Sequence, residues 1–283
     1  MKKNLICFFL ISALLMLIYP HMTKAAASYN PAMGNEPAET SGILKGLDIS
    51  KLDKTEKNWF FKPRKDGLPS EEPPEITNLI NKYSAYYLGD ISKKTIYLTF
   101  DEGYENGYTV KILDILKKNN VKAAFFVTTP YIKDNPDLVK RMMDEGHLVC
   151  NHTAKHPSMA ERAKNPDDFE KEFTITEEAY KNVTGKEMPK FFRPPMGKYS
   201  ELSLFYTKKL GYKTIFWSFA YNDWNRQNQP SPEFAKEKIL NRTHNGEIVL
   251  LHAVSRTNSE ILDSVIQSWK EKGFILESLD KLP

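Results

Sequence analysis

The chain has 283 residues, of which 41% are hydrophobic and 27% charged, and a formal net charge of +4. That is enough apolar material for a full core, which excludes a disordered polyelectrolyte, and it is a length at which an α/β barrel forms a single domain. Residues 1–27 hold Lys2, Lys3 and Lys24 and no acid, so without them the charge drops to +1, and a near-neutral surface excludes nucleic-acid binding through a concentrated basic face.

Lys2 and Lys3 precede an apolar run from Leu5 to Tyr19, followed by Lys24-Ala25-Ala26-Ala27-Ser28. A charged start, a short apolar core and a small-residue cleavage site together read as a secretory signal, 1–27. The run is shorter than the roughly 18 to 20 residues of a spanning helix, so the mature chain is expected outside the cytoplasm and meets the membrane only through this segment. Cys7 leaves with the signal, so Cys150 stands alone and no internal disulfide is expected. Placed after Leu148-Val149, Cys150 reads as a buried small hydrophobe. Residues 28–56, rich in Ser, Pro, Asn, Gly and Lys without a period, read as a linker or flexible arm, and 57–283 as the domain proper. Trp59 to Pro74 is an irregular aromatic stretch expected to pack across the bottom of the domain, and Ile76 to Tyr83 a short helix.

From there the text alternates. β-rich apolar runs at 95–100, 122–128, 147–151, 190–193, 213–218, 247–252 and 274–278 are separated by amphipathic segments. The first of these carries Val110, Ile112, Leu113, Ile115 and Leu116, the second Leu138, Met142 and Met143, and a long charged one runs from Pro166 to Val183; further helices are expected at 200–210, 232–243 and 259–272. Strand–helix alternation predicts a parallel sheet, and about seven units in this length predict an α/β fold built as a distorted or incomplete parallel (β/α) barrel. No glycine-rich phosphate fingerprint follows the first strand, which argues against a nucleotide-binding doubly wound sheet.

Active sites of such barrels lie at the carboxyl ends of the strands, and five strand ends here carry ionisable groups. The first ends in Asp101-Glu102-Gly103, two carboxylates that repel unless a cation or proton separates them; the bland alternative is a solvated turn. The third ends in Asn151-His152 and continues to His156-Pro157, a spacing that would set two imidazoles on one helical turn. With a carboxylate from Asp101-Glu102 they would make a two-histidine, one-carboxylate metal set. The fourth runs into Arg193-Pro194-Pro195-Met196-Gly197, where the guanidinium could be aimed at a carboxylate; the fifth approaches Asp223-Trp224, and the sixth ends in His252. His147 and His244 fit ordinary structural histidines. Trp217, Tyr221 and Trp224 suit a sugar-stacking groove or simply core.

Taken together and in this order, Thr99-Phe100-Asp101-Glu102-Gly103, His152-x-x-x-His156-Pro157, Arg193-Pro194-Pro195-x-Gly197, Asp223-Trp224 and Leu250-Leu251-His252 resemble the five motifs of the polysaccharide deacetylases, the NodB-homology domains of carbohydrate esterase family 4. The resemblance runs from about residue 57 to the end. Asn58-Trp59-Phe60-Phe61-Lys62, Tyr86-Tyr87-Leu88-Gly89-Asp90 and Tyr104-Glu105-Asn106-Gly107 look most like the delta-lactam-forming muramic acid deacetylases of spore cortex peptidoglycan. The resemblance implies Asp101 as general base, Arg193 orienting it, His252 as general acid supported by Asp223, and His152, His156 and Glu102 as metal ligands. It places the Met196 backbone N–H in the oxyanion hole. The implied cofactor is a divalent metal, zinc before manganese or cobalt. The implied partner is a peptidoglycan glycan, acted on by a monomer at the cell wall or forespore envelope. Two departures stand out, since the family usually has aspartate where this chain has Glu102 and Ala220. Position 196 is, in addition, commonly tyrosine in the wider family. N-acetylmuramic acid is the substrate expected on this resemblance. N-acetylglucosamine of peptidoglycan or a chitin-like glycan is the alternative, and a silent glycan-binding protein a third.

Overall fold

The strand–helix alternation folds as a parallel sheet wrapped by helices. The computed structural model describes residues 42–64 and 67–283; the signal segment 1–27 and the first part of the 28–56 arm lie outside the described residues. In chain order the elements are β1 (Lys57–Asn58), α1 (Pro74–Lys82), β2 (Ala85–Tyr86), β3 (Thr95–Glu102), α2 (Thr109–Lys118), β4 (Ala124–Val127), α3 (Thr129–Asp134), α4 (Pro136–Asp144), β5 (Leu148–Asn151), α5 (Met159–Arg162), α6 (Pro166–Thr184), β6 (Phe191–Phe192), β7 (Lys198–Tyr199), α7 (Glu201–Lys209), β8 (Lys213–Ile215), α8 (Pro232–Leu240), β9 (Glu247–His252), α9 (Arg256–Glu271) and β10 (Ile275–Leu276).

The sheet runs β10-β3-β4-β5-β6-β8-β2, with β9 also paired to β3, and every pairing in it is parallel. Just beyond β8 the chain turns onto β9: Ser218 N donates to Ile248 O at 3.0 Å and Leu250 N to Phe219 O at 2.9 Å. The sheet therefore curls back on itself as the distorted barrel that the seven apolar runs predict. β3 is buried along its whole length, and its alternate residues separate two apolar layers. Ile96, Leu98 and Phe100 face the helices with Ile112, Leu116, Val265 and Trp269. Tyr97 faces the barrel interior with Ala124, Phe126, Cys150, Ile215 and Ile248, and Leu279 and Leu282 from the carboxyl terminus join this inner cluster. β10 pairs with Thr95 and Ile96 at the start of β3, so the terminus closes the end of the barrel away from Asp101.

Local chemistry fixes the helix boundaries. α6 begins where the Asn165 side chain accepts from the amides of Asp167 and Asp168, has Pro166 in its first turn, and stops at Gly185, left-handed at φ 69°. The short helices α3 and α5 were not expected from the periodicity; each starts on a side-chain cap, Thr128 and Ser158 respectively. Within the 28–56 segment, Leu44 is buried against Met159, Phe169 and Phe173, and Asp53 O accepts from Leu202 N at 3.1 Å. Among the described residues no helix is long and apolar enough to cross a membrane.

The stretch after Trp59 departs in part from its expected place at the bottom of the domain. Trp59 stacks on Phe216 at 4.5 Å, and its indole N–H donates to Trp217 O at 2.9 Å. Its amide donates to Gly197 O at 2.8 Å. Trp59 therefore sits at the carboxyl ends of the strands, behind the Met196-Gly197 turn. Gly197 has φ +66°, and a Cβ there would meet Trp217 and Trp59 carbons at 3.0 and 3.1 Å, so this turn admits only glycine. Farther on, Phe61, Pro63, Arg64, Leu68 and Ser70 lie beside Arg242 and His244, ahead of β9.

Cys150 lies fully buried among these inner-layer side chains, and burial pushes its thiol far above the ordinary range. We expect Cys150→Ala to keep full turnover and to cost about 1 kcal/mol of stability, the usual scale of a small core change. Loss of turnover in a normally folded variant, judged by circular dichroism and acetate release, would assign the thiol a chemical role.

Candidate active site

Asp101, one residue before the end of β3, faces Arg193, which follows β6. The guanidinium is fully buried and donates through Nη1 to Asp101 Oδ1 at 2.8 Å, through Nε to Ile215 O at 3.1 Å and through Nη2 to Phe216 O at 3.3 Å. Its plane lies over the Phe126 ring, 4.2 Å from the centroid. Burial alone would raise the Asp101 carboxyl, but Arg193, helped by His152 and His252, outweighs it and holds the pKa below the ordinary value.

His252 ends β9 directly beside Asp101, its register partner across the β3–β9 ladder. Its Nδ1 meets Asp223 Oδ1 at 2.7 Å, and its amide donates to Asp223 Oδ2 at 2.8 Å. A carboxylate only accepts, so Nδ1 carries the proton and Nε2 is left for the cavity. Burial disfavours the charged ring, yet Asp223 more than offsets this and the pKa is raised. Asn258, unremarked in the sequence, completes the support: its Nδ2 donates to Asp223 Oδ2 at 2.7 Å and to His252 O at 3.1 Å, while its Oδ1 accepts from the Tyr221 hydroxyl. The signal for it was Ser255, the N-cap of α9, with asparagine three residues on where a capping box would have glutamate or glutamine.

His152 and His156 come together, with ring centroids 4.9 Å apart and nearly perpendicular. They do so on a loop instead of the helical turn expected from their spacing. Thr153 and His156 both have positive φ, 74° and 58°, which a helical turn forbids. The Asn151 side chain accepts from Thr153 N, and the Thr153 hydroxyl from His156 N. His152 Nδ1 lies 2.8 Å from Arg193 O, which can only accept, so Nδ1 is protonated. Burial holds the ring neutral with a pKa of about 4, leaving a lone pair on Nε2, 3.6 Å from Asp101 Oδ2.

Glu102 does not join them. Successive residues of a strand point to opposite faces, so Glu102 turns away from Asp101 into the helix layer. It is fully buried there, 3.3 Å from the Thr109 hydroxyl, with Oε2 lacking a hydrogen-bond partner. Burial, with the Glu105 charge added, raises its carboxyl well above the ordinary range. The imidazole pair thus has the donor chemistry of a divalent-metal site, one ring anchored by a backbone carbonyl as metal-bound histidines are. The carboxylate expected beside it is on the wrong face. Among the described residues, no group of three or more His, Cys, Asp and Glu side chains is placed to hold an ion.

Asp101, His152, His156 and His252 open into one cavity of about 950 Å³, walled by Met196, Trp217, Tyr221 and Trp224. Met196 sits at φ 58° and is half-exposed, as is Trp224, whereas Tyr221 is buried, its hydroxyl donating to Asn258 Oδ1. Tyr104, which the sequence marked only within Tyr104-Glu105-Asn106-Gly107, and Lys238, which it did not mark, also line it. Asp223 is fully buried and supports the site from behind. His147 and His244 are structural: His147 Nδ1 accepts from Ala123 N, and the His244 ring bridges Arg242 O and the Ser218 hydroxyl. A wide cleft with an ionised carboxylate beside a carboxylate-backed histidine can move one proton on and another off the same bound group.

The family model described as "Polysaccharide deacetylase" matches residues 89–215. The peptidoglycan-N-acetylmuramic acid deacetylase PdaA of Bacillus subtilis is 46% identical over 226 residues, 80% of this chain and 85% of that protein. A peptidoglycan-N-acetylglucosamine deacetylase of Bacillus cereus is 33% identical over 198 residues, 69% of this chain and 70% of that protein. The solved structure of B. subtilis PdaA, a family 4 carbohydrate esterase, aligns with a TM-score of 0.78 and 44% identity, covering 81% of this chain and 97% of that one.

Proposed function

This chain belongs to the polysaccharide deacetylases of carbohydrate esterase family 4, and we propose that the acetyl group it removes is that of N-acetylmuramic acid in peptidoglycan. As a family member it is a hydrolase of amide bonds, and its similarity to peptidoglycan deacetylases supports action on the cell wall, outside the cytoplasm. What supports the muramoyl reading is the 46% identity to the N-acetylmuramic acid deacetylase of Bacillus subtilis; the observation that carries the hydrolytic chemistry is the register pairing of Asp101 and His252 on adjacent strands, each backed by its own buried partner, Arg193 and Asp223.

An acetamide is a poor electrophile, and its amine leaves only if protonated as the C–N bond breaks. Asp101, kept ionised by Arg193, takes a proton from the attacking water. His252, kept protonated by Asp223, delivers one to the departing nitrogen through Nε2. The turn at Met196 provides the wall for the carbonyl oxygen, and Trp217 and Trp224 provide faces for sugar rings. Deacetylases of this family are generally metal-dependent. His152 Nε2 and His156 would hold a divalent ion, zinc in the first instance, and it would supply Lewis-acid polarisation of the acetyl carbonyl. Freed beside a lactyl carboxylate, the amine is set up for the lactam ring found in spore cortex. A silent glycan-binding role is disfavoured, because a binding groove has no use for a base and an acid that are each separately buttressed.

Mass spectrometry of peptide-free peptidoglycan glycan and of chitooligosaccharide after treatment tests the substrate. Loss of acetyl from muramoyl residues is the expected outcome, whereas deacetylation confined to glucosaminyl residues would overturn the reading. Calorimetric titration with zinc tests the ligand set: His152→Ala and His156→Ala should each abolish binding, while Glu102→Ala leaves it. Equal loss in all three would return Glu102 to the ligand set.

A further inference from the structure

Among the described residues lining the cavity, Lys238 alone carries a permanent positive charge. It projects from α8, half-buried, with Nζ 5.4 Å from the Phe234 ring centroid. Among the described residues no carboxylate pairs with it. The other charges of the site are matched internally: Asp101, the one carboxylate on the cavity wall, is bound to Arg193, and His252 is bound to Asp223. A neutral sugar entering this cleft leaves Lys238 unmatched.

We propose that Lys238 is the specificity-determining residue of the cleft, taking the carboxylate that hangs from O3 of the sugar whose acetamido group reacts. The inference rests on the substrate reading above. A muramoyl residue differs from a glucosaminyl residue by a lactyl ether, and once its peptide is gone that ether ends in a free carboxylate. An ammonium on a flexible four-carbon stem makes a charge-assisted hydrogen bond to such a group without demanding one orientation. The glucosaminyl sugar lacks the group, so the same lysine discriminates between them. Its effect belongs to binding, since the carboxylate keeps its charge throughout the reaction.

Initial rates are measured on peptide-free glycan and on the same glycan with its lactyl carboxylates amidated. For the unaltered enzyme, amidation should raise KM about ten- to a hundredfold with kcat little changed, the scale of one lost hydrogen bond to a charged group. Lys238→Met should show that raised KM on the native glycan and no further rise on the amidated one, Lys238→Arg should recover most of the loss, and Lys236→Met, on the same helix but outside the cavity, should behave as the parent. If Lys238→Met loses equally on both glycans, or if amidation leaves the parent's KM unchanged, the assignment is overturned while the muramoyl reading stands. If the parent releases no acetyl from muramoyl residues at all, the substrate reading fails first and this inference with it. The amidation comparison uses the unaltered chain, so an unchanged KM there overturns the assignment even where a variant misfolds.

Discussion

His252→Ala should lower kcat on peptide-free glycan by about two to four orders of magnitude with KM little changed, the scale on which a positioned general acid contributes. The ring is held through Nδ1 by the 2.7 Å contact to Asp223 Oδ1, with Nε2 toward the cavity, and alanine leaves the departing amine without this proton donor. Asp101→Asn should fall by a similar factor for the complementary reason, because an amide cannot take a proton from water. Both variants should still bind glycan, since neither side chain supplies the aromatic walls. Near-normal turnover in His252→Ala would mean that another group protonates the amine.

Arg193→Met should be the most damaging single change to stability. The guanidinium is fully buried and is the ion-pair partner of Asp101, whose side chain is 10% exposed. Removing one member of a buried pair leaves an uncompensated charge and costs about 3–5 kcal/mol. Asp101 has a depressed pKa, so the pair's contribution is present at neutral pH and is lost as pH falls through that depressed value. Arg193→Met should therefore lie well below the parent in urea unfolding at neutral pH, and the gap should narrow in acid. Adding Asp101→Asn should recover part of the loss, because the stranded charge goes with it. Strict additivity of the two changes would show that the residues are not coupled.

Much of the molecule was legible in the text, for physical reasons that also explain what was not. The seven apolar runs became strands because the parallel sheet buries both faces, and fully buried strands write themselves as continuous hydrophobic text. Asp101, His152, Arg193 and His252 were legible because each closes such a run or follows it at once. The two-residue strands β1, β2 and β7 carry too few positions for a period, and α3 and α5 rest on caps more than on amphipathicity. Glu102 entered the ligand set through the family resemblance, whereas the two-residue period of a strand sends 101 and 102 to opposite faces. The His152–His156 spacing was read as helical, whereas the left-handed backbone at Thr153 and His156 is set by side-chain hydrogen bonds that spacing does not encode. Asn258 and Lys238 lie on α9 and α8, away from the strand ends where site residues are sought in such a fold.

The dependence of kcat on pH, measured for the parent and for Asp223→Asn on peptide-free glycan, tests the acid–base pair most directly. His252 must be protonated to act, so turnover falls as pH rises through its pKa. Asp223 raises that pKa above the ordinary 6.5 against the opposing effect of burial, which places the parent's falling limb on the alkaline side of an ordinary histidine. In Asp223→Asn burial acts without its counterweight, and the limb should move to lower pH. A falling limb that keeps its place in Asp223→Asn would contradict the assignment of His252 as the acid.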